Sequence, residues 1–167
     1  MRRFGWLAGL ALLLGVGSRT PVLAQAEDAE LSRNWDLHAG FFVPERSAPR
    51  TAEGDIWLAL GADKPIYSVE RWKVTFSLDY YGSGRVYNVP IRVNLMGETN
   101  KLRYGMGAGI GISHDLARGQ TGFTWAGDVG YYLTQGPNPI MADIRYNYLS
   151  TGSGALNGWE FLLGYRF

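Results

Sequence analysis

The chain of 167 residues contains no cysteine, which excludes disulfide bonds and thiolate metal sites. Its formal net charge at pH 7 is only +1, which argues against a protein that binds nucleic acid through a basic surface. Two histidines without any cysteine do not suggest a metal centre. The composition therefore predicts no metal, no other cofactor and no nucleic-acid partner.

Long apolar runs are also absent, except at the N-terminus. Two arginines at positions 2 and 3 precede an apolar run over 4–16, and the small-x-small motif Ala24-Gln25-Ala26 follows. This order is typical of a secretory signal peptide, and the run is shorter than the ~20 residues that a transmembrane helix needs. We expect a signal peptide over 1–26, with cleavage after Ala24 as the alternative. A short periplasmic lead over 27–34 and one domain over 35–167 follow.

The domain is rich in glycine (23 residues in the chain) and in aromatic residues (14%), and its hydrophobicity alternates with a period of two. The alternation recurs eight times, near residues 35–43, 55–62, 72–80, 89–95, 102–113, 123–133, 142–148 and 159–167. Segments such as "GADKP" at 61–65 and "GETN" at 97–100 predict turns. The third strand has an ambiguous start, as early as Ile66, and Pro90 predicts either a bulge or a strand that begins at Ile91. No helix is expected.

The two faces of these strands differ sharply. One face is apolar and has aromatic residues near the strand ends, which is typical of the interfacial girdles of membrane barrels. The other face carries five acids and five bases that are expected to form an ion-pair network: Asp36, Lys73, Asp79, Arg92, Arg103, Asp128, Asp143, Arg145, Glu160 and Arg166.

The aromatic face is too bulky for the interior of an eight-stranded barrel, whereas buried charges are tolerated when they are paired. The apolar face is therefore expected to meet lipid, and a sheet in lipid must close because an unpaired edge is forbidden there. The sequence predicts an all-β fold, an eight-stranded antiparallel up-and-down transmembrane β-barrel. Its termini and short turns are expected on the periplasmic side, and the longer loops over 44–53, 114–122 and 150–157 outside.

Four glycines alternate along the fifth strand, in the stretch "LRYGMGAGIGIS". They do not fit a dinucleotide motif, because the G-x-G-x-x-G spacing fails and no helix follows. They are expected to face the lumen, to relieve curvature and to make room for Arg92, Arg145 or Tyr132. The lumen glycines are Gly105, Gly107, Gly109 and Gly111.

The last strand, "GWEFLLGYRF", ends the chain with alternating apolar residues: Phe161, Leu163, Tyr165 and Phe167. With this strand and the alternation before it, the chain from residue 27 onward resembles the small eight-stranded outer-membrane β-barrels of the OmpX and OmpA transmembrane-domain type. The resemblance implies an outer-membrane location, contact with outer-membrane lipid, and recognition of the last strand by the assembly machinery. A monomer is expected. The corresponding function is non-enzymatic, with a plugged lumen, and serves envelope structure, surface interaction or minor permeability.

Two other functions compete with this interpretation. The stretch "RYNYLSTGSGALNG" is similar to the site of PagL-type lipid A deacylases, which implies Ser150 as nucleophile, but Tyr148 stands where that family has histidine. A serine nucleophile needs an adjacent base, so we expect no catalytic residue. His38 is expected in the lumen near Asp36, and His114 in a solvated loop. A soluble lipocalin-like barrel would instead place the aromatic face inside, around a ligand.

Overall fold

A computed structural model describes residues 34–69, 71–115, 118–151 and 154–167. The predicted signal peptide and nearly all of the predicted lead lie outside the described residues. The strands are β1 (Asp36–Pro44), β2 (Trp57–Val69), β3 (Trp72–Gly82), β4 (Tyr87–Thr99), β5 (Leu102–His114), β6 (Gly119–Tyr132), β7 (Ile140–Leu149) and β8 (Gly158–Arg166), with one helix, α1 (Ser47–Glu53).

Each strand pairs antiparallel with the next, and β8 pairs with β1 to close the barrel. The predicted eight-stranded up-and-down barrel is therefore confirmed. Closure joins the start of β1 to the end of β8, because the flanking residues Trp35 and Phe167 exchange two backbone hydrogen bonds of 3.0 Å. We call the end that holds these residues the terminal end, and the opposite end, which holds α1, the loop end.

The barrel is apolar outside and polar inside. Along β8 the buried and exposed residues alternate strictly, and the outward residues include Trp159, Phe161, Leu163 and Tyr165. The buried set contains eighteen polar or charged residues among those described. This distribution is that of a transmembrane barrel, and it contradicts the lipocalin-like alternative, which required the aromatic face inside. Among the described residues, no helix is long and apolar enough to cross a membrane.

The turn predicted at "GADKP" is wrong, because β2 continues through residues 61–65 to Val69. The strand accommodates Pro65 with a register shift between Pro65 and Tyr67 in its pairing with β3. Such a bulge adds one residue to one strand, and here both Ile66 and Tyr67 are exposed. Ile66 thus belongs to β2, and the third strand begins at Trp72.

The bulge predicted at Pro90 is also wrong, as is the strand start at Ile91. β4 begins at Tyr87, and Pro90 pairs directly with Gly111 of β5. In the pairing with β3, Leu78–Ile91 and Tyr81–Asn88 have the same register, but no residue pairs are formed between them. The missing N–H of proline is thus accommodated by a gap in the ladder.

The loop between β1 and β2 contains a helix that the sequence analysis did not predict. Gly54 follows the end of helix α1; its φ of 90° favours a residue without a side chain, and its N–H donates to the carbonyl of Arg50. The loop predicted over 114–122 is shorter than expected, because β5 runs to His114 and β6 begins at Gly119.

Candidate functional site

The lumen is the candidate site, and its loop-end part is apolar. Eight buried residues from β1, β2, β3, β7, β8 and two loops form a cluster that we call the apolar cap: Phe42, Trp57, Ala59, Tyr81, Val86, Leu149, Leu156 and Leu162. The ring of Phe42 stacks on Tyr81 with centroids 4.3 Å apart and tilts against Trp57 at 5.5 Å. The cap fills the lumen directly below the loops.

The polar atoms of the cap are bonded to the loops. Tyr81 Oη donates to the carbonyl of Leu156 at 3.0 Å and accepts from Asn88 Nδ2 at 2.9 Å. Trp57 Nε1 donates to the carbonyl of Gly54 at 2.8 Å, just after α1. The loops are therefore fixed to the cap by buried hydrogen bonds, which favour one geometry because a broken bond would leave a buried polar group unsatisfied.

Below the cap lies a cluster of charges around Asp79. Arg92 donates to one of its carboxylate oxygens, and Arg145 lies 3.3 Å from the other. His38 Nε2 is 2.7 Å from Asp79 Oδ1, and the two residues meet above Gly61, which pairs with both of them. His38 thus contacts Asp79, and not Asp36 as expected from the sequence.

A second cluster of charges joins Arg103 to two acids. Arg103 donates to Asp63 at 2.7 Å and to Asp36 at 3.2 Å. Arg166 donates to Asp36 at 2.6 Å and to Glu98 at 2.8 Å. These bonds link β1, β2, β4, β5 and β8 across the lumen. Buried charges at this density are tolerated because nearly every one has an oppositely charged neighbour.

The terminal end of the lumen is the most solvated part. Lys73 is 3.1 Å from Glu98, with side-chain exposures of 25% and 22%. Tyr132 Oη donates to the other oxygen of Glu98 at 2.7 Å. The network therefore passes from fully buried charges near the cap to partly hydrated ones at the terminal end.

Among the predicted network residues, Asp36, Lys73, Asp79, Arg92, Arg103, Arg145, Glu160 and Arg166 form ion pairs, with Glu160 at 3.8 Å from Arg145. Asp128 and Asp143 are buried on the same inward face, but the structure gives them no ion pair with a described residue.

Two members of the network were missed in the sequence. Asp63 was assigned to a turn, although it continues the inward parity of Ala59 and Gly61. Glu98 was assigned to the "GETN" turn, although it is opposite Arg103 in the β4–β5 ladder. With these two, the lumen holds seven acids and five bases, so the predicted balance of charge does not hold.

One group in the network has the arrangement of metal ligands. Ligand atoms of His38, Asp63 and Asp79 all lie within 4.8 Å of one another. Arginines already contact both carboxylates, however, and Arg145 approaches both. A cation there would displace hydrogen bonds and meet like charges, so these three residues are better described as part of the ion-pair network.

The four glycines of β5 lie next to side chains and backbone of the neighbouring strand. A Cβ on Gly107 would overlap the side chain of Asn94, and one on Gly105 would overlap Met96. At Gly109 it would overlap the carbonyl of Ile91 and lie 2.8 Å from the Cα of Arg92. Of the three residues expected there, Arg92 is next to Gly109, whereas Arg145 and Tyr132 are not among the nearest neighbours of these glycines.

Ser150 lies exposed at the loop end, where its N–H donates to the carbonyl of Phe123. Neither histidine is hydrogen-bonded to Ser150. His38 is bonded to Asp79 in the lumen, and His114 stacks on Tyr87 of β4 and bonds to the carbonyl of Arg85 at 3.0 Å. No described residue supplies Ser150 with the base that a serine nucleophile needs.

The outer surface carries aromatic residues towards both ends. At the terminal end Trp72 meets Tyr104 edge to face at 5.7 Å, and Tyr165 stacks on Phe167. Nearer the loop end lies a cluster of four outward rings: Trp125, Tyr146, Tyr148 and Trp159. Amphipathic rings at these two levels fit the two boundaries between hydrocarbon and headgroups.

Comparison with known proteins identifies the fold and no closer relationship. No protein-family profile and no curated protein matches the chain. The structure is similar to the outer membrane protein Ail of Yersinia pestis, determined in a phospholipid bilayer nanodisc, with a TM-score of 0.54 and 13% identity over 80% of this chain and 99% of that chain. Neisserial surface protein A gives a TM-score of 0.44 at 14% identity, over 80% and 93% of the two chains. The likeness to Ail confirms the resemblance to small eight-stranded outer-membrane barrels at the level of fold.

Proposed function

We propose that this protein is a non-enzymatic barrel of the bacterial outer membrane, which serves envelope structure and presents its loops for surface contact. One observation supports this most: the outward surface is apolar, whereas the lumen is filled by a charge network and an apolar cap. A lumen filled in this way leaves little room for solute, so any permeability is minor.

The orientation follows from the same features. The terminal end carries the connections at 70–71, 100–101 and 133–139, and the loop end those at 45–56, 83–86, 115–118 and 150–157. The longest connection, which contains α1, and the loop at 150–157 are both at the loop end. Bacterial barrels place short turns in the periplasm and longer loops outside. The loop end therefore faces the exterior, and the outward side chains of the β-strands contact outer-membrane lipid.

The last strand supplies the contact with the assembly machinery. Its outward residues Phe161, Leu163, Tyr165 and Phe167 are all exposed, and β8 closes the barrel against β1. The strand therefore presents a continuous apolar stripe until closure. Removal of Phe167 should leave the protein in the periplasm or degraded, while a Phe167→Tyr variant should still assemble.

The main test is fractionation followed by gel electrophoresis of unboiled and boiled samples. We expect the protein in the outer-membrane fraction, with a mobility that changes on boiling because the closed barrel resists detergent until it is heated. Recovery in the soluble fraction would contradict the proposal. Swelling of proteoliposomes in sugar solutions measures permeability, which should remain near that of protein-free vesicles.

The lipid A deacylase alternative makes a separate prediction. Cells that express the protein should keep all acyl chains on lipid A, because Ser150 lacks a base. Mass spectrometry of lipid A tests this. Loss of one acyl chain in wild type, but not in a Ser150→Ala variant, would establish the enzyme instead.

A further inference from the structure

Two acids of the lumen form no ion pair with a described residue. Asp128 and Asp143 are only 7% and 5% exposed. Asp128 Oδ2 and Asp143 Oδ1 are buried without a hydrogen-bond partner, and neither carboxylate is within ion-pair distance of a described base. Every other described acid of the lumen has such a base, so these two residues account for the excess of seven acids over five bases.

The two arginines that lie nearest to Asp128 and Asp143 in the strand ladders form their ion pairs with other acids. Arg145 is the direct partner of Asp128 in the β6–β7 ladder, but its guanidinium points towards Asp79, Asp63 and Glu160. Arg103 is separated from Asp143 only by Gly130, yet it donates to Asp36 and Asp63. Both guanidinium groups still act electrostatically on the two carboxylates, but neither forms an ion pair with them.

Asp128 and Asp143 are close neighbours in the β6–β7 ladder. Asp143 is opposite Gly130, two residues after Asp128 on the same face of β6, so the pair is diagonal across the ladder. Diagonal residues are about 7–8 Å apart at Cα and less at Cβ. Gly130 keeps the space between them open, because a Cβ there would overlap Asp143 Oδ1. The unpaired oxygen of Asp143 thus lies over Gly130, two residues from Asp128 along β6.

We propose that Asp128 and Asp143 bind a hydrated divalent cation, of the type of Mg²⁺, in the lumen. Hard cations prefer carboxylate oxygens, and Mg²⁺ commonly uses one or two carboxylates at about 2.0–2.1 Å while it keeps several waters. One divalent ion adds the two positive charges by which the acids of the lumen exceed its arginines and lysine. The ion also supplies a partner for each buried oxygen, which would otherwise be costly to desolvate.

The test uses the protein purified from membranes in dodecyl maltoside, an uncharged detergent, after treatment with EDTA. Mn²⁺ serves as the probe, since its electron paramagnetic resonance signal distinguishes free from bound ion. We expect one bound Mn²⁺ per chain that Mg²⁺ displaces and Na⁺ at equal ionic strength does not. Asp128→Asn and Asp143→Asn should each weaken binding by about tenfold or more, because the number of charged ligands sets the affinity of such sites.

Glu98→Gln is the matched control. It also removes one lumen carboxylate, but one that Lys73, Arg166 and Tyr132 already contact, so Mn²⁺ binding should stay within about twofold of wild type. Each variant is first checked for the mobility change on boiling that marks a folded barrel, and either aspartate variant suffices if the other does not fold. Absence of Mn²⁺ binding by the folded wild type overturns the proposal and favours a proton shared by the two carboxylates. Binding that survives in a folded aspartate variant also overturns it.

Discussion

The apolar cap and the charge network fill the same lumen by different physical means. In the cap, Phe42, Trp57 and Tyr81 pack ring against ring, and their position depends on volume. In the network, Arg103 and its partners depend on charge and hydrogen-bond geometry. The comparison teaches that the cap excludes water mainly by packing, with hydrogen bonds only from Trp57 and Tyr81, whereas the network ties specific strands together by charge. Substitutions in the two regions should therefore destabilise the barrel for different physical reasons.

The largest effect is expected from Arg103→Met, which keeps the bulk of the side chain but removes its charge. Asp36 would keep Arg166, but Asp63 would lose its closest cation. Breaking a buried ion pair by removing one partner costs about 3–5 kcal/mol. Urea unfolding in lipid vesicles, followed by tryptophan fluorescence, measures the loss. Adding Asp63→Asn should restore part of it, and a single-variant loss below about 1 kcal/mol would contradict the network interpretation.

A smaller effect is expected from Gly109→Ala, which tests the wall that supports the network. The new methyl group would overlap the carbonyl of Ile91 and press on the Cα of Arg92, neither of which is a flexible side-chain end. Overpacking of this kind costs roughly 1–3 kcal/mol. Gly127→Ala is the matched control, because its Cβ would meet only the carbonyl of Gly105 at 3.9 Å. Equal unfolding curves for the two variants would show that the packing is looser than described.

Tyr81→Phe tests the cap with little change in volume. The ring stacking on Phe42 is kept, whereas the carbonyl of Leu156 and the amide of Asn88 lose a shared partner. We expect a loss of roughly 1–2 kcal/mol in the same unfolding assay. Hydrogen exchange of the backbone N–H groups at 154–157 should rise, because the loop loses its bond to the cap. Unchanged exchange there would mean that packing alone fixes the loop.

The smallest effect is expected from Lys73→Ala at the terminal end. Its ion pair with Glu98 is partly hydrated, and Glu98 keeps Arg166 and Tyr132 as partners. Exposed pairs contribute roughly 0–1 kcal/mol, and salt screens them. The difference between wild type and variant should shrink further in high salt. A loss comparable to that of Arg103→Met would remove the distinction between buried and solvated parts of the network.

The fold was predictable because hydrophobicity alternates with a period of two along any strand that has one face towards lipid and the other towards a packed lumen. The faces of Trp35–Val43 and Trp159–Phe167 could be read directly from their residues. Strand boundaries were predicted wrongly where turn-forming residues lie in a segment that pairing with the neighbouring strands keeps extended. "GADKP" contains two strong turn residues, yet pairing with both neighbours keeps Asp63 in β2.

The sequence predicts which residues face the lumen better than it predicts which of them form ion pairs with each other. Parity shows that Arg103 and Asp128 point inward, but not which residue across the barrel each side chain reaches. That choice depends on strand stagger and side-chain length, as when Arg103 reaches Asp36 and Asp63 rather than Asp143. Helix α1 lies inside the segment 44–53 that was predicted as a loop; its Pro49 is in the first turn, where a helix tolerates proline.

Among the described residues, the lumen is asymmetric along its axis: the apolar cap packs it tightly near the loops, whereas Glu98, Lys73 and Arg166 are partly exposed near the terminal end. The solution at the terminal end therefore has the shorter route to the charges of the interior. A change of salt there should act on the Lys73–Glu98 pair before it acts on the fully buried pair of Arg92 and Asp79.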